Sequence, residues 1–131
     1  MSDDTQRDAP RPDIRDNRPH GRLEARTADG RDGQLVGRID YFTLDATPAA
    51  PTVPALVAVH TVVEPDHEGQ GIAGALAREL YALAAREGAA VVPLCPYVAG
   101  WAERHPDEAP APPEALTAEA KKRLAADPGL W

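Results

Sequence analysis

Residues 55–87 constrain this chain more than any other stretch. "ALVAVHTVV" (55–63) is a run of apolar and β-branched residues that reads as a buried strand. "EPDHEGQG" (64–71) follows and carries two glycines. From residue 71 to 87, Ile72, Leu76, Leu80 and Leu83 recur at spacings of four, four and three, the stripe of a helix lying on a core, and Gly88 stops it. A helix that opens on such a loop presents N–H groups with no intrahelical partner, at the positive end of its dipole. Glycines at 69 and 71 let a bulky anion approach that backbone, which suits a pyrophosphate. The alternative is a tight strand-to-helix turn in which the glycines supply only backbone freedom.

Gly69-x-Gly71-x-x-Gly74 also matches the dinucleotide-binding spacing. That site needs the first glycine directly after the strand and an acid after the next strand to hold a ribose. Glu64 to Glu68 intervene here, and the next strand ends in Leu94-Cys95-Pro96. The segments before residue 55 look antiparallel, and too little chain follows residue 94 for a doubly wound sheet. The dinucleotide reading is set aside.

Around this unit, "RLEART" (22–27) and "QLVGRIDYF" (34–42) read as a hairpin across "ADGRDG", with Leu35, Ile39 and Tyr41 on one face. "TLDATPAAPTVP" is a Pro-rich loop, "AAVVPL" (89–94) a buried strand, and "YVAGWAERH" (97–105) a short helix. "PPEALTAEAKKRLAADPG" (112–129) is a last helix, with Pro113 near its start and Pro128-Gly129 past its end. The expected order is β-β-β-α-β-α-α, an α+β (mixed α/β) class. Residues 1–20 hold five Asp, four Arg and three Pro, with Ile14 the only large aliphatic residue after Met1. They bury too little to offset ordering and are expected to be a disordered tail. The organisation expected is a tail at 1–20, one domain at 21–107, and a linker with a helix at 108–131.

The 131 residues suffice for one core, built mainly from Leu, Val, Ile and Ala because aromatics make up 5%. A net charge of −7 argues against nucleic acid as partner and is compatible with a cationic one such as an amine. The single cysteine, Cys95, allows no internal disulfide. With no apolar leader at the N-terminus and no run of the roughly 20 apolar residues a span needs, no membrane association and a cytoplasmic location are expected. No His, Cys and carboxylate set has metal-ligand spacing, and a Ser triad fails because the only serine is Ser2. Lys121-Lys122-Arg123 read as a solvated helix face.

The stretch 60–107 resembles the short, stand-alone members of the GNAT superfamily of acetyl-CoA-dependent N-acetyltransferases. That superfamily's Arg/Gln-x-x-Gly-x-Gly/Ala loop maps onto Glu68-Gly69-Gln70-Gly71-Ile72-Ala73. The short subgroup's His-Thr strand end, Leu-Cys-Pro and His-Pro appear in order as His60-Thr61, Leu94-Cys95-Pro96 and His105-Pro106. The resemblance covers residues 22–107 and implies a GNAT-like acyl-CoA N-acyltransferase fold, a mostly antiparallel sheet flanked by helices. It implies acetyl-CoA as cosubstrate without a metal, its pyrophosphate held by Gly69, Gln70, Gly71, Ile72 and Ala73, and its thioester polarised by backbone N–H groups near Val63. The implied acceptor is a primary amine of unknown identity. Two positions depart from the pattern: Glu68 stands where the superfamily has Arg or Gln, and Val62 where the subgroup commonly has Glu.

Acetyl transfer needs a deprotonated amine, donors for the oxyanion, and a proton for the leaving thiolate. Cys95 is either a nucleophile that carries the acetyl group or a small buried hydrophobe. Tyr97 is either the acid that protonates the thiolate, as the resemblance implies, or a packed aromatic. His105 either orients and activates Cys95 or caps the short helix. An alternative to catalysis is a module on the same fold that binds CoA or a protein with little chemistry.

Overall fold

The computed structural model describes residues 13–27, 33–45, 53–127 and 129. Five strands form one sheet in sequence order: β1 (Asp13–Asn17), β2 (Arg22–Arg26), β3 (Leu35–Leu44), β4 (Ala55–Val63) and β5 (Ala90–Pro93). The first three pairings are antiparallel and β4 with β5 is parallel, the crossover between them being α1 (Ile72–Glu87). Two further helices follow β5, α2 (Pro96–Arg104) and α3 (Glu114–Ala126). The expected α+β class, mostly antiparallel sheet and flanking helices are all present.

Alternation along β4 divides the core between the two faces of the sheet. Leu56 and Ala58 join Leu76, Leu80 and Leu83 of α1 and Val98 and Trp101 of α2. Ala55 and Val57 face the other way, packing with Leu44, Val92 and the α3 residues Leu116 and Ala120. The last helix, expected as an appendage to the domain, therefore covers one face of its sheet.

The folded region begins earlier than expected. Residues 1–12 lie outside the described residues, but 13–20, assigned to a disordered tail, form β1 and a 3-10 turn. Two causes offset the poor hydrophobicity. Ile14 packs on the core, and the register sets Asp13 opposite Arg26 and Arg15 opposite Glu24, so charges of opposite sign face each other along the ladder. In β3 the expected face is shifted at its start: Val36, not Leu35, is the buried residue there. Gly37 turns toward α1, where a Cβ would stand 3.0 Å from Ile72 Cγ2.

β4 has one irregularity that matters. Asp40 pairs with His60 and Tyr41 with Ala58, so Val59 is an extra residue. Strict alternation would set Ala58, His60 and Val62 on one face. The bulge instead sends Thr61 to the Ala58 side, where it touches Cys95, and Val63 to the same side, where it packs on that core.

Candidate active site

β4 and β5 stay paired only from Ala55↔Ala90 to Ala58↔Pro93. The last tie is the Cys95 N–H, which donates to the Ala58 carbonyl at 2.9 Å before α2 carries the chain away. Beyond it, the β5-facing edge of β4 is open as far as Val63. The Glu64 N–H donates to the Val36 carbonyl at 2.8 Å, so its neighbour Val63 turns its own N–H to the opposite, open side.

A cleft of about 390 Å³ occupies this opening. Thr61 and Val63 of β4 line one wall; Glu68, Gly69 and Gly71 of the loop and Ile72, Ala73 and Gly74 of the first turn of α1 line the other, with Tyr97 above. Gly69 and Gly71 take φ values of 83° and 79°, in the left-handed region, and a Cβ on either would meet nothing within 4 Å. Conformation, not crowding, calls for glycine there. Gly71 is the N-cap of α1 and makes no side-chain cap hydrogen bond, so the first N–H groups of the helix face the cleft without one. Among the described residues no group of His, Cys, Asp and Glu is arranged to hold a metal ion.

The site residues expected from sequence are brought together in part. Val63, Gly69, Gly71, Ile72, Ala73 and Tyr97 all line the cleft. Gln70 is not among the lining residues; its side-chain oxygen accepts from His67 Nδ1 at 3.3 Å. Tyr97 is 37% exposed, and its hydroxyl hangs over the first turn of α1, 3.6 Å from where a Cβ of Gly74 would be. Glu68 stands exposed at the cleft mouth, whereas exposed Val62 does not line it.

Cys95 is the N-cap of α2 and only 4% exposed. Its sulfur lies 3.2 Å from Thr61 Oγ1, and it is Thr61, not Cys95, that lines the cleft. Of the two roles open to His105, activating Cys95 or capping the short helix, the length of α2 disfavours the first: the two residues flank opposite ends of the helix, ten positions or roughly 15 Å apart. His105 instead caps the helix. Its Nδ1–H donates to the Trp101 carbonyl at 2.9 Å, and its ring stacks on Trp101 with centroids 4.2 Å apart. Thr61, Glu68 and Gly74 also line the cleft, and the sequence singled out none of them as a catalytic or cofactor-binding residue. The sequence marked Thr61 only as part of the His60-Thr61 strand end; which of the two faces the cleft depends on the bulge at Val59, which no residue type there announces.

A second cavity, of about 420 Å³, lies near the other end of α1, beside Arg18, Arg22 and Tyr41. It touches neither the glycine loop nor the open edge of β4. Of its charged lining groups, Arg18 is bonded to Glu87 and Asp16.

Comparison with known proteins identifies the family and the fold. The model of a family described as GCN5-related N-acetyl-transferase matches residues 24–110. Among solved structures, a ribosomal-protein-alanine N-acetyltransferase from Brucella melitensis biovar Abortus 2308 is 30% identical, with a TM-score of 0.50 over 70% of this chain and 62% of that one. A Trypanosoma brucei acetyltransferase shares the fold at 17% identity, with a TM-score of 0.50 over 66% of this chain and 62% of its own. This chain thus spans about three fifths of the length of each. No curated protein matches. With more than half of its length matched by the family, the chain belongs to the GCN5-related N-acetyltransferases.

Proposed function

We propose that the protein is an acetyl-CoA-dependent N-acetyltransferase whose acceptor is a primary amine. One observation carries this reading: a single cleft runs from the open N-terminus of α1 to the edge of β4 that β5 has left. The pyrophosphate sits against the N–H groups of Gly69 to Ala73 and the helix dipole. The pantetheine extends along the open edge, completing hydrogen bonds that β5 no longer supplies. The Val63 N–H polarises the thioester carbonyl, the amine attacks it directly, and the Tyr97 hydroxyl protonates the departing sulfur. Because the Brucella relative is a ribosomal-protein-alanine N-acetyltransferase, an amine on a protein is the first acceptor class to test. No helix among the described residues is long and apolar enough to cross a membrane, and we place the activity in the cytoplasm.

Calorimetric titration of acetyl-CoA, with Gly71→Glu as control, tests the cleft. Micromolar dissociation, roughly −8 to −6 kcal/mol, lost in the variant, supports the reading, and no binding at millimolar ligand sinks it. Turnover that depends on an added amine then tests the chemistry. A second reading, a CoA-binding module with little chemistry, is favoured by Glu68 at the cleft mouth and by the separation of His105 from Cys95. It requires saturable CoA binding and no transfer to any of a broad panel of amines.

A further inference from the structure

We propose that the Thr61 hydroxyl is the side-chain group of β4 that meets the acetyl thioester, and that Cys95 acts through Thr61 as a positioning residue instead of as a nucleophile. The inference rests on the acetyl-CoA reading of the cleft. Thr61 lines that cleft two residues before Val63 and on the same side of β4, and both are there because of the bulge at Val59. Cys95 lies one layer behind. It is 4% exposed, its N–H is fixed to the Ala58 carbonyl, and its sulfur is 3.2 Å from Thr61 Oγ1. A nucleophile must reach the carbonyl carbon, and the Thr61 side chain separates this sulfur from the cleft.

The donor inventory sets the direction of the pair. A hydroxyl has one proton to donate and two lone pairs to accept with, and a thioester oxygen only accepts. When the Cys95 S–H donates to Thr61 Oγ1, the Thr61 O–H is free to donate into the cleft. Cys95 thereby fixes a hydroxyl rotor that would otherwise turn. As the amine attacks, the C–N bond forms and the carbonyl π pair moves onto oxygen, where the Thr61 hydrogen bond strengthens. On collapse the C–S bond breaks and the sulfur takes its proton from Tyr97; the amine's extra proton passes to solvent, and the exposed Tyr97 regains one from solvent. Neither Thr61 nor Cys95 changes its covalent bonding.

CoA lacks the acetyl carbonyl, so the ratio of its dissociation constant to that of acetyl-CoA isolates this contact without an acceptor. Calorimetry on the wild type, Thr61→Val, Thr61→Ser, Cys95→Ala and Cys95→Ser reads it. Thr61→Val, equal in shape and lacking the hydroxyl, lowers the ratio about fivefold, the size of one ordinary hydrogen bond, while Thr61→Ser keeps it. Cys95→Ala lowers it partway and Cys95→Ser restores it; a merely structural role would not move the ratio. Should Thr61→Val fail to fold by circular dichroism, the Cys95 pair carries the same comparison. An unchanged ratio in a folded Thr61→Val protein overturns the inference. So does one acetyl increment on Cys95 in the intact mass of wild type treated with acetyl-CoA. Failure of the wild type to bind either ligand overturns the cleft reading as well, which separates the two failures.

Discussion

The two ends of α1 both turn on a glycine in the left-handed region, Gly71 at φ 79° and Gly88 at φ 67°, and they are finished in opposite ways. At the C-terminal end the Gly88 N–H bonds to the carbonyls of Ala84 and Ala85 and the Ala89 N–H to that of Ala84, which satisfies the last turn from within the chain. Side chains reinforce it. Arg18 donates to both oxygens of Glu87 at 3.0 and 2.9 Å and lies over the Tyr41 ring, and Tyr41 in turn donates to Asp16 of β1. The N-terminal end has no side-chain cap and opens on the cleft. The contrast teaches that the same backbone device serves closure at one end and access at the other. What differs is whether neighbouring groups of the chain occupy the helix terminus.

The largest expected effect breaks the two ends apart. Neither glycine has an atom within 4 Å of a would-be Cβ, so substitution at either meets the same backbone penalty, about 1–2 kcal/mol, and no clash. Gly71→Glu adds a carboxylate where the pyrophosphate is to sit and should weaken acetyl-CoA binding by at least about a hundredfold. Gly88→Ala should lower stability by about 1 kcal/mol and leave binding within about twofold. Equal binding losses by calorimetry in the two variants would erase the distinction.

The closed end is tested next through its tyrosine. Burial first, and then the bond to Asp16, push the Tyr41 hydroxyl up from 10.0 to about 12. Below pH 10 both folded and unfolded chains keep this proton; between 10 and 12 the unfolded chain loses it and the folded chain does not. The stabilisation is therefore present below pH 10 and lost as pH rises through 12, up to about 2–3 kcal/mol. Tyr81, also raised to about 12 by burial, titrates over the same window, so the pH profile alone does not separate them. Tyr41→Phe does. It should cost about 2 kcal/mol at neutral pH in a denaturant melt and reduce the alkaline loss to the share that Tyr81 supplies, with acetyl-CoA affinity unchanged.

The open end was the more legible of the two from sequence. The apolar run 55–63, the glycines and the Leu stripe each report a local backbone need, and together they located the cleft. The closed end joins Asp16, Arg18, Tyr41 and Glu87 across long sequence separations. Asp16 and Arg18 sit in a segment whose composition pointed to disorder; only the pairing of Asp13 and Arg15 with Arg26 and Glu24 explains it as a strand, and that is visible once a register is known. Within the site, the His60-Thr61 strand end was legible, but that Thr61 is the one to face the cleft was not, because the bulge at Val59 sets it. For His105 the sequence left two roles open, and the geometry at the end of α2 favours the cap.

The smallest expected effect sharpens the open end. Glu68 lines the cleft mouth beside Gly69, is exposed, and stands where the wider superfamily carries Arg or Gln. An exposed carboxylate several ångströms from a bound pyrophosphate repels it through water, so Glu68→Gln should tighten acetyl-CoA binding about two- to threefold. Because the repulsion is screened, the gain should shrink as salt is raised from low ionic strength toward 1 M, where the Debye length is only about 3 Å. Calorimetry at two salt concentrations reads both quantities. A gain that survives high salt would mean the carboxylate acts by shape or hydrogen bonding. A loss of affinity would mean that Glu68 itself contacts the ligand, and the open end would then be a cleft with a side-chain cap of its own.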